Sequence, residues 1–380
     1  MLDGILDSAP AIRSVQSFSP TRYTEFLECP LRAVWSANGA SALLPVSPSA
    51  RIGRVAHALL QEAGEGRFVS LSATIIDDRW RKLVSSEESN MEKAWLDRSF
   101  VPLRTTVPQY EVRRIQSCKR ALEITREVAT CKQEIDSSHK DGPQYGFELC
   151  VSSCDGIIRG RIDSVLPSAA GPVIRDYKSG VLFENGEQGI VKREYDTQVK
   201  LYAALYESSH GRWPAALEIV SVTGSTQAIA FDPIMCADLL SRAIGTVESL
   251  NQTIQSGKDQ REVEKSLARP SARNCYYCQY RPGCAPYRQI AAKEKEGDNW
   301  PKDIIGQAET VQQLGNSKYM ITVPTATGLV RIRGLDPSAR RHPAIPQLTS
   351  GDTVGAFDLC RTAENAFIES LYTTIYKLIS

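Results

Sequence analysis

The sequence has few histidines, almost no net charge and no long apolar run. Four histidines occur in 380 residues, and the formal net charge is +1. No field from the whole protein therefore draws it to nucleic acid, and any such contact needs a local basic patch. No stretch approaches about 20 apolar residues, the length of a membrane-spanning helix. The first 14 residues hold two aspartates and no apolar core, so we predict no signal peptide and a cytoplasmic protein.

A GxxxxGK[ST] phosphate loop is also missing, so the chain is not expected to be an NTP-driven motor by itself. The hydrophobic content of 42% and charged content of 23% are ordinary for a globular protein. The length allows two domains. Ten cysteines are present, and without an export signal we predict thiols or metal ligands rather than disulfides.

The first 135 residues have a helical pattern, and strands follow. Asp155 and Gly156 predict a hairpin turn between the first two of three successive strands. The order helix, three strands, helix, strand predicts an α/β fold with helices packed on a sheet. The predicted helices are 20–35, 51–61, 73–135 with breaks at Pro102 and Pro108, 196–209 and 233–256, and the predicted strands are 147–153, 157–167, 172–178, 217–223 and 227–231.

The segment from Trp300 onward differs, because it is rich in β-branched residues and turns. Strands are predicted there at 319–323, 329–333, 353–359 and 366–376. We therefore expect one domain over residues 1–295, with a helical insertion at about 65–140, and a small β-rich, OB-like domain over residues 296–380. The polar stretch 293–302 is a candidate linker.

Two aspartates and a lysine are predicted to share one face of the sheet. Strand side chains alternate between faces, so Asp176 and Lys178 of the segment IRDYKSG point the same way and Tyr177 points the other way. The turn near residue 170 lets Asp163 meet Asp176 across the strand pair. Two close carboxylates repel each other, and a divalent cation such as Mg²⁺ removes the conflict. The alternative is that these three residues lie on a solvated sheet face without binding a metal. The apolar residues around them argue against this alternative.

This pattern, GRIDSV followed by VIRDYKSG, resembles the active-site hairpin of the PD-(D/E)xK nuclease superfamily in its RecB-like branch. Three further segments match in the same order. GRVAHALLQE contains His57, QVKLYAALYE contains Gln198 and Tyr202 one helical turn apart, and CYYCQYRPGC contains three cysteines. The resemblance spans about residues 17–287 and implies a restriction-endonuclease-like core.

The resemblance also implies roles for individual residues. Asp163 and Asp176 would bind Mg²⁺ or Mn²⁺, with His57 and the backbone carbonyl of Tyr177 as further ligands. Lys178 would assist the attacking water. Two more residues would position the phosphate or the lysine, so that the implied catalytic set is Asp163, Asp176, Lys178, Gln198 and Tyr202.

Two nearby residues have alternative interpretations, and a third departs from the family pattern. His57 lies in an apolar helix and is either a metal ligand or a core histidine with a backbone partner. Glu148, in the preceding strand, is either a supporting acid near the metal or an ordinary strand glutamate. Arg175 stands where the family usually has an apolar residue, on the face opposite Asp176.

The cysteines of the last matching segment lie in a loop with few aliphatic residues, where a metal would supply the missing stability. The resemblance adds Cys29 as a fourth ligand and implies a structural [4Fe–4S] cluster held by Cys29, Cys275, Cys278 and Cys284. Zinc also accepts four thiolates, so the spacing alone leaves zinc open. The other cysteines are predicted to be buried thiols: Cys118, Cys131, Cys150, Cys154, Cys236 and Cys360.

Local basic residues are candidate nucleic-acid contacts. From 104 to 132 there are seven basic and three acidic residues, which suits either phosphate contacts or a solvated helix face. Aromatic and basic residues around the cysteines, among them Tyr277 and Arg281, suit either a single strand or a tight metal loop. The residues predicted to contact DNA are Arg113, Arg114, Arg120, Arg331 and Arg333.

These expectations describe a metal-dependent deoxyribonuclease that hydrolyses phosphodiester bonds. We expect an exonuclease that prefers single strands or ends and that serves DNA repair, recombination or antiviral defence. DNA is the expected partner, with a helicase or another repair or defence protein as a further candidate. One alternative is a catalytically weak module that binds DNA or a helicase through a nuclease fold, and another is a zinc-containing scaffold without catalysis.

Overall fold

A computed structural model gives the fold. It describes residues 3–68, 72–135, 145–178, 180–184, 189–221, 224–292, 299–326, 328–363 and 365–379. The described residues form eleven α-helices and fourteen strands, and the strands make up three sheets. Among these helices, none is both long enough and apolar enough to cross a membrane.

The helices largely follow the predicted order. Asp232 begins the longest helix of the C-terminal half as predicted, because its Oδ1 accepts a hydrogen bond from the Met235 amide at 2.9 Å and Pro233 follows it. The helices are α1 Tyr23–Glu28, α2 Pro30–Ala37, α3 Pro48–Gly64, α4 Ala73–Lys93, α5 Leu103–Thr106, α6 Tyr110–Ile135, α7 Arg193–His210, α8 Pro233–Ser256, α9 Gln260–Leu267, α10 Ala272–Tyr276 and α11 Ala285–Ala291.

The prediction of one continuous helix over 20–35 is wrong. A single 3₁₀ turn precedes α1, and the chain breaks between α1 and α2 at Cys29, whose backbone is extended (φ −146°, ψ 94°). Pro30 explains the break, because a proline disfavours the helical conformation in the residue before it. Cys29 consequently lies at a junction between two helices rather than inside one.

The strands of the central sheet are ordered β2-β3-β4-β5-β6. Neighbours are antiparallel except β4 and β5, which run parallel, and Gly156 (φ 70°) lies in the predicted β2–β3 hairpin. The chain's strands are β1 Ile5–Leu6, β2 Gly146–Ser152, β3 Arg159–Leu166, β4 Val173–Lys178, β5 Ala216–Ser221, β6 Thr226–Ile229, β7 Ile304–Gln307, β8 Thr310–Gln313, β9 Tyr319–Thr325, β10 Gly328–Leu335, β11 Thr353–Phe357, β12 Cys360–Ala363, β13 Ala366–Ile368 and β14 Thr374–Leu378.

Helices cover both faces of this sheet. On one face α7 buries side chains such as Ile174 and Ile219 in the main apolar core. On the other face α3, α4 and α6 form a second core, which includes Tyr177 and Val220. Strand alternation therefore separates Asp176, on the α7 face, from Tyr177.

The C-terminal β-rich part has its own apolar core and two sheets, ordered β1-β14-β11-β7 and β12-β13-β10-β9-β8. The strand predicted over 366–376 is wrong in extent, because β13 and β14 belong to different sheets. An OB-like barrel is not confirmed by this arrangement. β1 pairs with β14, so the beginning of the chain joins a C-terminal sheet. Residues 293–298 of the predicted linker lie outside the described residues.

Candidate active site

The end of β4 carries a closed set of three polar side chains. Nζ of Lys178 lies 2.8 Å from Oδ2 of Asp176 and donates a hydrogen bond to Oε1 of Gln198 at 2.8 Å. Nε2 of the same glutamine, on α7, donates to Oδ1 of Asp176 at 2.8 Å. One buried amide thus holds a lysine and an aspartate that strand alternation already places on one face.

Asp163 lies beside this set on β3. The β3–β4 register pairs Ser164 with Arg175, so the next position along the strands brings Asp163 opposite Asp176. Oδ2 of Asp163 accepts a hydrogen bond from the Tyr177 amide at 2.6 Å. Burial, followed by the neighbouring charge of Asp176, raises the pKa of Asp163 well above its usual value. The structure therefore brings together the two carboxylates that the sequence predicts to meet.

A histidine and a second acid complete the cleft. Nε2 of His57, on α3, lies 3.8 Å from Oδ1 of Asp163 and 3.8 Å from Oε1 of Glu148. One ligand atom from each of these residues lies within 4.8 Å of the others. The His57 side chain is 46% exposed, so it stands at the mouth of the cleft and is not a core histidine.

Glu148 owes its position to an irregular backbone. The β2–β3 register pairs Phe147 with Ser164 and Leu149 with Ile162, which puts Glu148 opposite Asp163. Its φ of +53° is left-handed, a conformation that a non-glycine residue adopts at a cost and often near functional sites. No sequence signal indicates this conformation, which is why the sequence could not separate a ligand role from that of an ordinary strand glutamate.

The charge state of Lys178 suits an electrostatic role. Burial opposes its charge, but the charge and hydrogen bond of Asp176, together with Asp163, raise the pKa of Lys178 above its usual value. Its Nζ also lies 4.8 Å from the centre of the Tyr195 ring, which favours a cation. The lysine is therefore an ammonium at neutral pH and is a poor candidate for a general base.

Tyr202 reaches the site because Gly160 has no side chain. A Cβ atom at Gly160 would lie 2.7 Å from the Tyr202 ring, far inside van der Waals contact. Burial raises the pKa of Tyr202, against which hydrogen bonds with Gln198 and Thr21 act. The tyrosine is thus a neutral phenol next to Gln198, and the glycine of the GRIDSV segment is required for its approach.

The donor set fits a divalent cation. Carboxylate oxygens from Glu148 and Asp163 with an imidazole nitrogen from His57 are ordinary ligands for Mg²⁺ or Mn²⁺. Burial raises the pKa of Glu148 as well. The negative charges of Glu148 and Asp163 are therefore unfavourable unless a cation balances them. Asp176, a predicted ligand, is not a member of this group of three side chains, and the Tyr177 carbonyl stays a predicted ligand.

Comparison with known families decides the class of this site. A profile of the PD-(D/E)XK nuclease superfamily matches residues 17–285. The chain belongs to the PD-(D/E)XK nuclease superfamily. Enzymes of this superfamily are metal-dependent nucleases that cleave phosphodiester bonds using divalent metals, in agreement with the acidic cleft and with the mixed α/β core.

Other comparisons add little to this assignment. A search of curated proteins finds no match. A solved structure titled "Crystal structure of SSO0001" is 13% identical, covering 47% of this chain and 77% of that chain with a TM-score of 0.21. A likeness at that level carries no argument about this nuclease.

Four cysteines line one small cavity in the part of the chain that the family profile matches, and they are the four that the resemblance groups: Cys29, Cys275, Cys278 and Cys284. All four are free thiols. Burial raises the pKa of Cys275 to about 12, and the charges of Cys278 and Cys29 contribute. Four thiols that line one cavity are a donor set that fits a thiolate-bound metal group.

The other cysteines differ from the prediction in part. Cys236 is buried and Cys118 is partly buried, but Cys150, Cys154 and Cys360 are exposed. The prediction of buried thiols is wrong for these three, because they lie on outward-facing or turn positions of the strands. The side chain of Cys131 lies outside the described residues.

Arg281 of the cysteine loop is buried rather than available to a strand of DNA. Its Nε donates to Asp303 at 2.7 Å and its guanidinium also pairs with Asp358. Nη1 donates to the carbonyl of Cys278 at 3.1 Å. This residue joins the cysteine loop to the C-terminal β-rich part.

The predicted DNA-contacting arginines fall into different environments. Arg114 pairs with Asp77 and Glu111. Arg120 is 8% exposed and pairs with acids of its own helix, so a phosphate contact would require breaking these pairs. Three others form no ion pair with any described residue: Arg113, Arg331 and Arg333.

Proposed function

We propose that this nuclease is a Mg²⁺- or Mn²⁺-dependent deoxyribonuclease that acts as an exonuclease on single strands or ends. One observation carries the proposal. Two carboxylates and a histidine converge within 4.8 Å of one another, next to an ammonium that a buried glutamine holds against a third carboxylate. This combination provides a cation site and a fixed positive charge at the same place.

The side chains have complementary roles. His57, Glu148 and Asp163 would hold the metal ion, and Asp176 would join them or keep Lys178 oriented. Lys178 stabilises negative charge that develops on the phosphate and orients the attacking water. Gln198 fixes the direction of Lys178, and Tyr202 supports the glutamine from α7. The divalent cation, when bound, supplies a Lewis acid for the phosphate and lowers the pKa of water.

End-labelled substrates test the activity. Linear and circular single-stranded DNA of the same sequence and the matching duplex are incubated with Mn²⁺, with Mg²⁺ and with EDTA. We expect metal-dependent release of short products from linear single strands and much slower loss of the circle, because an exonuclease needs an end. Lys178→Ala serves as the matched inactive variant.

The outcome also decides between the proposal and its alternatives. Equal loss of circular and linear strands would make the enzyme an endonuclease. Binding of DNA without cutting in any metal would support a catalytically weak binding module, which would act with DNA or with a helicase. As an active enzyme, the chain would serve DNA repair, recombination or antiviral defence, where related nucleases act.

We also propose a [4Fe–4S] cluster at the four-cysteine cavity. Four thiolates are the ligand set of a [4Fe–4S] cluster, and the four cysteines line one cavity. A single zinc ion accepts the same four thiolates, so the metal content of the protein decides between the two groups. The cluster would join the α1–α2 junction at Cys29 to the loop of the other three cysteines.

Metal analysis of protein purified without oxygen tests this cluster. We expect a brown protein with broad visible absorption and about four irons per chain. Cys29→Ser should lose the colour and the iron, while Cys154→Ser, which changes an exposed thiol, should keep both. A colourless protein with one zinc would overturn the cluster in favour of zinc.

A further inference from the structure

A groove of about 500 Å³ opens beside the candidate active site, a volume in the range of small-molecule sites. One wall is a single face of α6 together with the residue that precedes the helix. Gln109, Val112, Arg113, Gln116 and Ser117 line it, and the spacings of three, four, seven and eight residues put them on one side of a helix. The wall therefore offers an arginine, two amides and an apolar side chain in a row.

Two residues of the groove lining lie on elements that also build the catalytic cleft. The second wall of the groove is α3, where Gly53, which has no side chain, lies one turn before His57. Ser221 also lines the groove, and it is the register partner of Lys178 across the parallel strands β4 and β5. A strand whose phosphate lies at Lys178 would enter this groove with its next nucleotide.

The lining has the chemistry of an unpaired nucleotide. Val112 and Val181 face the groove with 49% and 61% of their surface exposed, which leaves apolar surface for the flat face of a base. Arg113 forms no ion pair with any described residue and supplies a cation for a phosphate. Gln109, at the start of this wall, precedes α6 with a left-handed φ of +56°, a conformation often found near functional sites.

We propose that this groove binds the unpaired nucleotide that adjoins the scissile phosphate, and that it selects single strands because a paired base cannot enter. The inference rests on the proposed function, since it places the substrate of the same site. A base inserted between α6 and the segment after Lys178 buries the exposed valines. The neighbouring phosphate meets Arg113.

Binding without cleavage tests the groove directly. In EDTA, the anisotropy of a labelled oligothymidylate is measured against a strand of equal length with abasic sites, which has the same charge without bases. We expect the unmutated protein to bind the base-bearing strand about tenfold more tightly. Val112→Glu should weaken that binding about tenfold and remove the preference for bases. Ile115→Glu is the matched control, because Ile115 is also exposed on α6 and does not line the groove.

A second pair of variants covers the case in which Val112→Glu does not fold. Arg113→Ala should weaken binding and reduce the salt slope by about one. Arg104→Ala, which removes an arginine paired with Glu111 outside the groove, should change neither. If each variant binds DNA as tightly as its control, the proposal that this groove binds a nucleotide is wrong.

The experiment separates this inference from the proposed function. A protein that binds as expected but never cuts with Mn²⁺ refutes the nuclease activity and leaves the groove assignment standing. A protein that cuts single strands, yet binds abasic and base-bearing strands equally, refutes the groove and leaves the nuclease standing. Displacement of the oligonucleotide only by a protein partner, with no effect of Val112→Glu on DNA binding, would reassign the surface to that partner.

Discussion

Nζ of Lys178, at the end of β4, lies 2.8 Å from Oε1 of Gln198 on α7. The same amide group donates to Asp176, so the glutamine orients a cation and an anion that already lie 2.8 Å apart. Few side chains can do this, because the amide offers an acceptor and a donor in one plane. The lysine is held in place and stays charged.

Lys178→Met is expected to lower kcat by about 10²–10³-fold with little change in DNA binding, because it removes charge stabilisation in the transition state. Lys178→Arg should retain part of the activity. Lys200→Met is the control, since that lysine pairs with Asp196 on the same helix as Gln198. Single-turnover cleavage with saturating Mn²⁺ measures all of them.

The pH dependence of that reaction has a definite sign. The pKa of Lys178 is raised, so the ammonium persists through the neutral and mildly alkaline range, and activity that needs it does not fall between about pH 7 and 9. A decline in that range that disappears in Lys178→Arg would contradict the raised pKa and this role of the lysine.

Much of this site follows from the sequence, for physical reasons that are local. Strand alternation places Asp176 and Lys178 on one face, and the short hairpin places Asp163 opposite Asp176. The helical spacing of Gln198 and Tyr202 puts both toward the sheet. Each of these inferences depends only on the regular geometry of one or two neighbouring elements.

The remaining features depend on tertiary structure or on a competing local signal. The left-handed backbone of Glu148 is an irregularity of one ladder position, and propensity does not encode it. Pro30 predicts a helix break at Cys29. Pro20 predicts only where a helix begins and says nothing about where it ends. The exposure of Cys150 depends on which side of an edge strand is covered.

Glu148→Gln tests whether the acid of the irregular strand is a metal ligand. We expect at least a tenfold loss of Mn²⁺ affinity, because an amide oxygen replaces a carboxylate in a set of only three donors. The measurement is the Mn²⁺-dependent rise in Tm by scanning fluorimetry. Glu218→Gln is the control, because Glu218 pairs with Arg175 on the opposite face of the sheet. If both variants titrate like the unmutated protein, Glu148 is an ordinary strand glutamate.

Asp163→Asn is expected to stabilise the metal-free protein while abolishing cleavage. Burial and Asp176 raise the pKa of Asp163, so its ionised form costs stability at pH values above its ordinary range near 4. Asparagine removes that charge and can still accept the hydrogen bond from the Tyr177 amide. We expect a gain of about 1 kcal/mol, or roughly 2–4 °C in Tm.

The gain from Asp163→Asn should be larger at pH 7.5 than at pH 5, because the aspartic acid takes up a proton as the pH falls. Mn²⁺ should raise the Tm of the unmutated protein and leave that of the variant unchanged. Asp196→Asn, which changes an aspartate paired with Lys200 on the surface, should show neither effect. If Asp163→Asn has a lower Tm than the unmutated protein in EDTA, repulsion between the carboxylates of Asp163 and Asp176 does not destabilise the metal-free protein.

The buried ion pairs of Arg281 connect the cysteine loop to the C-terminal β-rich part, and we expect the stability they contribute to depend on pH. Its side chain is 3% exposed and pairs with Asp303 and Asp358. Burial raises the pKa of Asp358 to about 6 even though Arg281 acts in the opposite direction. Arg281→Met removes this counter-charge and should cost about 3–5 kcal/mol, the usual cost of breaking a buried pair on one side.

The pH dependence of this loss of stability follows from the pKa of Asp358. Without Arg281 the pKa of Asp358 rises further above its value in the unfolded chain, so the folded state loses more stability at pH 8 than at pH 5. The loss of Tm caused by Arg281→Met should therefore be smaller at pH 5 than at pH 8. Arg273→Met is the control, since this arginine of the same loop is 86% exposed and pairs with Glu28, and it should cost less than about 1 kcal/mol at either pH. Equal losses for Arg281→Met at both pH values would mean that packing, rather than the buried charges, joins the loop to the C-terminal part.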